Sequence, residues 1–385
     1  MTEKLYDIDS GIFAFTACVT GCETAGKGYA LTLDRTAFFP EGGGQQADTG
    51  SIGDARVLDV QEEGGEIRHY TDRPVAAGAE VSCALDAEQR RRRMQNHSGE
   101  HVISGLIHSL YAWDNVGFHM GESCMTMDYS GELSWEELIR VETLANEVVR
   151  DDLPIRAWYP DPEQLRDMVY RSKLELTENV RIVEIHGIDR CACCAPHVAS
   201  TGQIGAVKIL TAERHRGGTR ITALCGMDAM EDYRARQESV TAISALLSAK
   251  REEVAPAVER LLGERDRLKE RVASLSMELV RLRAENVLPT EGNLCLFDTV
   301  LDEVAQRELV NLLMARCSGA AAVFCGDDEN GYRYIIGSLH TDLRAAARNI
   351  NAAIGGRGGG SPAMIQGRAA AKAAEIRTYF DSASI

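Results

Sequence analysis

The sequence predicts an α+β chain in four parts: a small β-rich region over 1–85, an α+β region over 86–227, a helical connector over 228–289 and a C-terminal α/β region over 290–385. Three observations carry this. Short apolar runs broken by Gly and Asp fill the first 85 residues. Helical spacing sets in at Asp86. Seven apolar residues, Val258, Leu261, Leu268, Val272, Leu275, Leu279 and Leu282, then recur at alternating spacings of three and four, with one gap in the register at Arg265, before a second α/β pattern begins after Pro289.

Strands are expected over 12–19, 28–33, 55–60 and 80–85, where β-branched and aromatic residues lie between turn residues. Asp86 is a suitable N-cap for a helix carrying His97, His101, Gly105 and His108 on one face. A second helix is expected over 134–150, capped by Ser134 with Glu136 and Glu137 in its first turn. Further strands are expected over 180–185, 205–210 and 220–224. The connector is nearly free of Gly, and Pro256 either divides it or opens its second helix. Its apolar stripe has two readings, a helical hairpin within the chain or a coiled coil with a second copy. The C-terminal region reads as strand, helix, two strands and helix, followed by Gly355-Gly356-Arg357-Gly358-Gly359-Gly360-Ser361-Pro362. That run, between two predicted helices, is expected to be a backbone cradle for an anion or an RNA backbone, with Arg357 supplying charge.

The 385 residues are 44% hydrophobic and 26% charged, ordinary for a folded chain, and no run of about 20 apolar residues suggests a membrane span. The start lacks the basic and apolar blocks of a signal peptide, so a cytoplasmic location is expected. A formal charge of −16 argues against non-specific nucleic-acid binding. Two local basic faces remain possible partners for RNA. One is the run Arg90, Arg91, Arg92 and Arg93; the other gathers Arg344, Arg348, Arg357, Arg368, Lys372 and Arg377. Cys18, Cys22, Cys83, Cys225, Cys295, Cys317 and Cys325 read as buried thiols.

His97-Ser98-Gly99-Glu100-His101 sets two imidazoles one helical turn apart, the spacing at which one helix grips one metal. Cys193-Cys194-Ala195-Pro196-His197 adds a thiolate and a third imidazole, with Cys191 or Cys194 as alternatives to Cys193. Thiolate with imidazole favours Zn²⁺. Four protein ligands would fill a tetrahedral site, which spacing alone reads as structural rather than catalytic. Phe38-Phe39-Pro40-Glu41-Gly42-Gly43-Gly44-Gln45 is the third element; its glycines suit close approach of backbone to a ligand.

These three elements, in this order, resemble the editing domain shared by alanyl-tRNA synthetases and the stand-alone alanyl-tRNA editing proteins of the AlaX type. The glycine motif, the H-x-x-x-H of His97 and His101, and the C-x-x-x-H of Cys193 and His197, with Val198 and then Thr201-Gly202-Gln203-Ile204-Gly205, all take part. Beyond Asp228 the chain is similar to the synthetases' C-terminal, DHH-associated domain, which makes it a long form and implies tRNA, first of all alanine tRNA, as partner. The resemblance implies a zinc-dependent deacylase that hydrolyses the ester of a misattached amino acid, serine above all, and no ATP-dependent ligase activity, since no aminoacylation domain precedes the motifs. A tRNA-binding protein with a purely structural zinc, or a deacylase for another ester, are the alternatives.

Within that reading His97, His101, Cys193 and His197 are the expected ligands. Gly42, Gly43 and Gly44 offer amides to the oxyanion or the terminal adenosine. Gln45 is expected to bond the serine hydroxyl, and Asn115 and His119 to wall the pocket, with His119 reading equally as a packed strand residue. Glu100 is either the base or, from its direction on the helix, a solvated charge. The family's loop commonly reads Cys-Gly-Gly-Thr-His; here Pro196 stands in place of the Thr, which removes a hydroxyl and an N–H and leaves the amino acid removed open.

Overall fold

Alternation of apolar and polar residues in the first 85 positions closes a sheet on itself. In the computed structural model, which describes residues 2–26, 28–121, 123–172, 180–383 and 385, six strands form a barrel. They are β1 (Ala14–Ala25), β2 (Gly28–Leu33), β3 (Gly50–Ile52), β4 (Ala55–Glu63), β5 (Glu66–Thr71) and β6 (Glu80–Leu85), paired in the order β1-β2-β5-β4-β3-β6. Val19, Leu31, Leu33, Ile52, Val60 and Ile67 point inward and fill it.

One polar side chain inside the barrel region makes a measurable prediction. His69 is buried, with Nε2 2.8 Å from Thr36 Oγ1 and Nδ1 3.1 Å from Leu31 O. Burial, only partly offset by the Leu31 bond, lowers the imidazole from 6.5 to about 4. Above pH 6.5 the ring is neutral in folded and unfolded chains alike. As pH falls towards 4 only the unfolded chain takes up the proton, so stability drops, by about 3 kcal/mol across that window. Thermal melts of the parent are expected to fall over this window and those of His69→Gln to fall less. Equal slopes would contradict the assignment.

The helix predicted from Asp86 is α1 (Ala87–Tyr111), and Asp86 caps it by accepting from Gln89 N. The helix is sunk into the protein, since every residue from 96 to 107 is buried. It packs with α2 (Trp135–Arg150), whose Ser134 and Glu137 form the expected capping box, against a four-stranded sheet. That sheet contains β7 (Asn115–Met120), β8 (Met125–Tyr129), β12 (Val207–His215) and β13 (Gly218–Cys225) in the order β12-β13-β8-β7. A three-stranded sheet of β9 (Ile155–Trp158), β10 (Ile182–Ile185) and β11 (Asp189–Ala192) lies between β8 and β12 in sequence. Its β11 leads directly into Cys193.

Contacts divide the chain into two units, Met1–Thr241 and Ala242–Ile385. Helix α3 (Gly226–Leu247) ends soon after the boundary, and α4 (Val254–Asn286) follows with Pro256 in its first turn. The apolar stripe of α4 is exposed: Leu268 and Val272 are 67% and 62% accessible. Val280 and Ala284 instead dock on Leu309 and Leu313 of α5 (Glu303–Met314). Packing within this unit therefore does not cover the stripe.

The C-terminal sheet holds β14 (Leu294–Asp298), β15 (Ala321–Asp327), β16 (Gly331–Gly337), β17 (Gly356–Gly360) and β18 (Met364–Ala369) in the order β14-β15-β16-β18-β17. Helices α6 (Leu343–Ala353) and α7 (Ala373–Ser382) complete the unit. Here the sequence reading needs correction. The glycine run is not a loop cradle but the edge strand β17, paired with β18 along its length. A Cβ on Gly358 would lie 2.2 Å from Gln366 O and 2.4 Å from the Tyr334 hydroxyl, so close packing against neighbouring atoms requires glycine there.

The basic run of α1 needs a second correction, because it forms no free basic face. Arg90 is buried and bonds Asp48 with a bidentate fork. Arg91 stacks on Phe13, with its guanidinium carbon 4.5 Å from the ring centroid. Arg92 pairs with Asp228 at 2.9 Å and with Glu231, and Arg93 donates to Ala47 O and Gln46. No helix among the described residues is long and apolar enough to cross a membrane.

Candidate metal centre

Three segments converge on one point. Helix α1 supplies His97 and His101, one turn apart, and the loop after β11 supplies Cys193 and His197. Their ligand atoms all lie within 4.8 Å of one another. The glycine motif forms the third wall. Asp48 at the end of loop 39–48 accepts from Phe39 N at 2.7 Å and is gripped by Arg90, which ties the loop to α1. Inside the loop, Gly42 and Gln45 exchange two backbone hydrogen bonds of 3.0 Å. Gly44 has φ +84°, and a Cβ there would lie 2.6 Å from Phe118 O, so the turn can press against β7 only with glycine at this position.

The hydrogen bonds of the imidazoles decide which nitrogen each presents. His97 Nδ1 lies 3.0 Å from Gln45 Oε1, His101 Nδ1 2.8 Å from Asp189 Oδ2, and His197 Nδ1 3.0 Å from Ser98 Oγ. All three Nδ1 atoms are thereby engaged away from the cluster, and all three Nε2 atoms remain for a ligand. Cys193 Sγ sits 3.6 Å from His97 Nε2 and 3.4 Å from His197 Nε2. Tetrahedral zinc, with bonds of about 2.0 Å to nitrogen and 2.3 Å to sulfur, puts such atoms about 3.5 Å apart. The donor set therefore fits a zinc ion.

Electrostatics separates the three cysteines. Burial pushes the Cys193 thiol up, but the His97 and His197 imidazoles and hydrogen bonds from His101 and His197 overcome it and hold it well below the ordinary value. Burial raises Cys191 and Cys194 to about 11, so both stay protonated. Of the three, Cys193 is the one whose Sγ lies among the three imidazoles and whose thiol is held low before any metal binds. Cys191 instead lies with His101 and Asp189, while Cys194 Sγ faces the glycine turn, 3.5 Å from where a Gly43 Cβ would stand. His197 is lowered to about 3 by burial. His101 is held well above its usual range, because its bonds to Asp189 and Cys193 outweigh burial.

Glu100 is not a solvated charge. It is 3% accessible, because α1 is enclosed on all sides at this level. Its Oε1 accepts from Ser104 Oγ at 2.7 Å and from Asn115 Nδ2 at 2.6 Å. Its Oε2 lies 3.8 Å from His101 Nε2, beside the cluster. Asn115 thus supports Glu100 from behind. His119 is exposed on the opposite face of β7, and its neighbour Phe118 turns inward, with its ring centroid 4.8 Å from that of His97. Gln45 is fully buried, and its Nε2 has no hydrogen-bond partner among the described residues. Arg357 belongs to the other unit, opposite Arg368 across β17 and β18. Phe118, Ser98 and Asp189 are site residues that spacing did not single out, since each arrives through tertiary packing.

A family model, the Threonyl and Alanyl tRNA synthetase second additional domain, matches residues 180–222, which include β10, β11 and the Cys193 to His197 loop. An alanine–tRNA ligase of Methanopyrus kandleri is 33% identical over 308 residues, 76% of this chain and 33% of the ligase. The alanyl-tRNA editing protein AlaX-L of Pyrococcus horikoshii is 26% identical, but the alignment covers 98% of this chain and 96% of that protein. Over nearly the whole of both lengths, then, the chain is similar to an alanyl-tRNA editing protein. The alanyl-tRNA editing protein Aarsd1 of Mus musculus is likewise similar, 25% identical over 94% of this chain and 92% of its own length. The chain spans about a third to two fifths of the length of the alanine–tRNA ligases it matches.

Proposed function

We propose that this protein hydrolyses the ester of a misattached amino acid on tRNA, with seryl-tRNA(Ala) as first substrate, at a zinc centre held by His97, His101, Cys193 and His197. The observation that carries the reading is the buried Glu100 carboxylate, 3.8 Å from the ligand nitrogen of His101. A hydrolytic site needs an acid–base group beside the metal, which a purely structural zinc does not require. Zinc in this position supplies Lewis acidity to the hydrolysis.

The chain's own residues divide the remaining work. Glu100 takes the proton from the attacking water through Oε2 and returns it to the ribose oxygen as the acyl C–O bond breaks, while Ser104 and Asn115 fix its other oxygen. Gly43 and Gly44 contribute the backbone N–H groups not spent in closing the turn, and these receive the negative charge that develops on the ester carbonyl oxygen. Gln45 has two roles. Its Oε1 orients His97, and its unpaired Nε2 is the donor offered to the serine hydroxyl. A site built around such a bond rejects an alanyl ester, which lacks the hydroxyl. Phe118 covers the His97 ring and keeps water from that side. In the C-terminal unit the exposed pair Arg357 and Arg368 is assigned to the tRNA backbone.

The test is release of labelled serine from mischarged alanine tRNA, run beside a panel of other aminoacyl-tRNAs. Serine release above the uncatalysed rate, with correctly charged alanyl-tRNA spared, is the expected result. Release of a different amino acid in preference to serine would assign the departure at Pro196 a role in substrate choice. Release of none would leave a tRNA-binding protein with a structural metal.

A further inference from the structure

Of the three imidazoles, only His101 is backed by a charged group. His97 rests on the Gln45 amide and His197 on the Ser98 hydroxyl, whereas His101 Nδ1 meets Asp189 Oδ2 at 2.8 Å. Asp189 is gripped in turn by a guanidinium fork: Arg171 Nε donates to Oδ1 at 2.7 Å and Arg171 Nη2 to Oδ2 at 2.8 Å. The backbone holds this chain of contacts in register. Arg171 N donates to Arg190 O at 2.8 Å and Ala192 N to Arg171 O at 2.9 Å, which seats Arg171 alongside β11 just before Cys193. On the helix side, a Cβ on Gly105 would lie 2.4 Å from Ile188 O, so only glycine lets α1 approach the turn that carries Asp189.

The same carboxylate stands at a fork. His101, Asp189 and Cys191 form a second buried group whose ligand atoms lie within 4.8 Å of one another, and its carboxylate bonds His101 through Nδ1. His101 therefore has one nitrogen facing each of two possible ligand sets. A metal bound on the Nδ1 side would lose His97, Cys193 and His197.

We propose that Asp189 is a positioning residue that fixes the His101 ring and tightens the hold of the four-ligand centre, and that Arg171 keeps Asp189 from joining His101 and Cys191 as a competing metal site. The proposal rests on the reading that His97, His101, Cys193 and His197 bind a metal. Its physical basis is direct. A carboxylate behind a ligating imidazole keeps the proton on Nδ1, makes Nε2 the better donor and removes ring freedom. A bidentate guanidinium occupies both carboxylate oxygens and cancels the charge that would attract a cation to them.

The test titrates Zn²⁺ against a chromophoric chelator, then records Co²⁺ absorption, for the full chain and for Asp189→Asn and Arg171→Met, each first melted without metal to establish folding. Loss of a supporting partner of this kind costs about 10–100-fold in metal affinity, and Asp189→Asn is expected to fall in that range with the one-thiolate cobalt spectrum unchanged. Arg171→Met is expected to weaken binding and to change the cobalt spectrum as Asp189 becomes available, and it carries the test alone if Asp189→Asn shows no melting transition. Affinities within twofold of the parent, with the parent spectrum in both variants, would overturn the proposal and leave the four-ligand centre standing. A parent chain that binds no stoichiometric metal would overturn both.

Discussion

Glu100→Gln is expected to slow deacylation by about 10²–10⁴-fold while the protein keeps its zinc, the range typical for loss of a positioned general base. Glutamine preserves the side chain's length and the oxygen that accepts from Ser104 and Asn115, so the buried bonds at 2.7 and 2.6 Å survive. What is lost is the carboxylate's capacity to take a proton 3.8 Å from the His101 nitrogen. The effect belongs in kcat, because the residue is not asked to bind the substrate more tightly than the transition state. Single-turnover deacylation at saturating enzyme, with zinc measured on the same preparation, checks it. A variant with full zinc and an unchanged rate would remove Glu100 from the chemistry.

His101→Ala is expected to have the other large effect, of a different kind. It takes one of four ligands and also strands Asp189, whose carboxylate is held ionised against burial by its bonds to His101 and Arg171. Zinc content should fall to well below one per chain, and deacylation with it, on the order of 10³-fold, since the metal supplies several kcal/mol of charge stabilisation. Metal analysis and the rate assay on one sample separate this outcome from that of Glu100→Gln, where only the rate falls. Full activity in His101→Ala would sink the metal mechanism.

The pair of variants also marks what was legible in the sequence. His97 and His101 are four residues apart, and so are Cys193 and His197; local geometry alone suggests each pair, and the fold brings the two pairs together. Glu100 was ambiguous because helical direction implies solvent only for a helix with an outer face, and α1 has none between 96 and 107. Asp189 and Arg171 were invisible, since they reach His101 through a bridge between β11 and a segment 18 residues earlier in the chain. His119 drew attention as a histidine, but the period of two along β7 turns Phe118 inward instead.

Charge and glycine runs misled in a consistent way. Arg90 to Arg93 read as a basic surface, yet their partners Asp48, Asp228, Glu231 and Phe13 lie far away in sequence. The C-terminal glycines read as a backbone cradle in a loop, yet the cross-strand neighbours that crowd them, Gln366 and Tyr334, make them a strand. Composition describes a segment by itself, whereas these roles depend on what packs against it.

The central claim is that the centre of His97, His101, Cys193 and His197 is where a misattached amino acid is removed from tRNA. The most direct test strips the protein of metal, returns zinc in steps and follows serine release from seryl-tRNA(Ala) on the same sample. The rate should rise with bound zinc and level off at one ion per chain. A stripped protein that releases serine at the full rate would contradict the account.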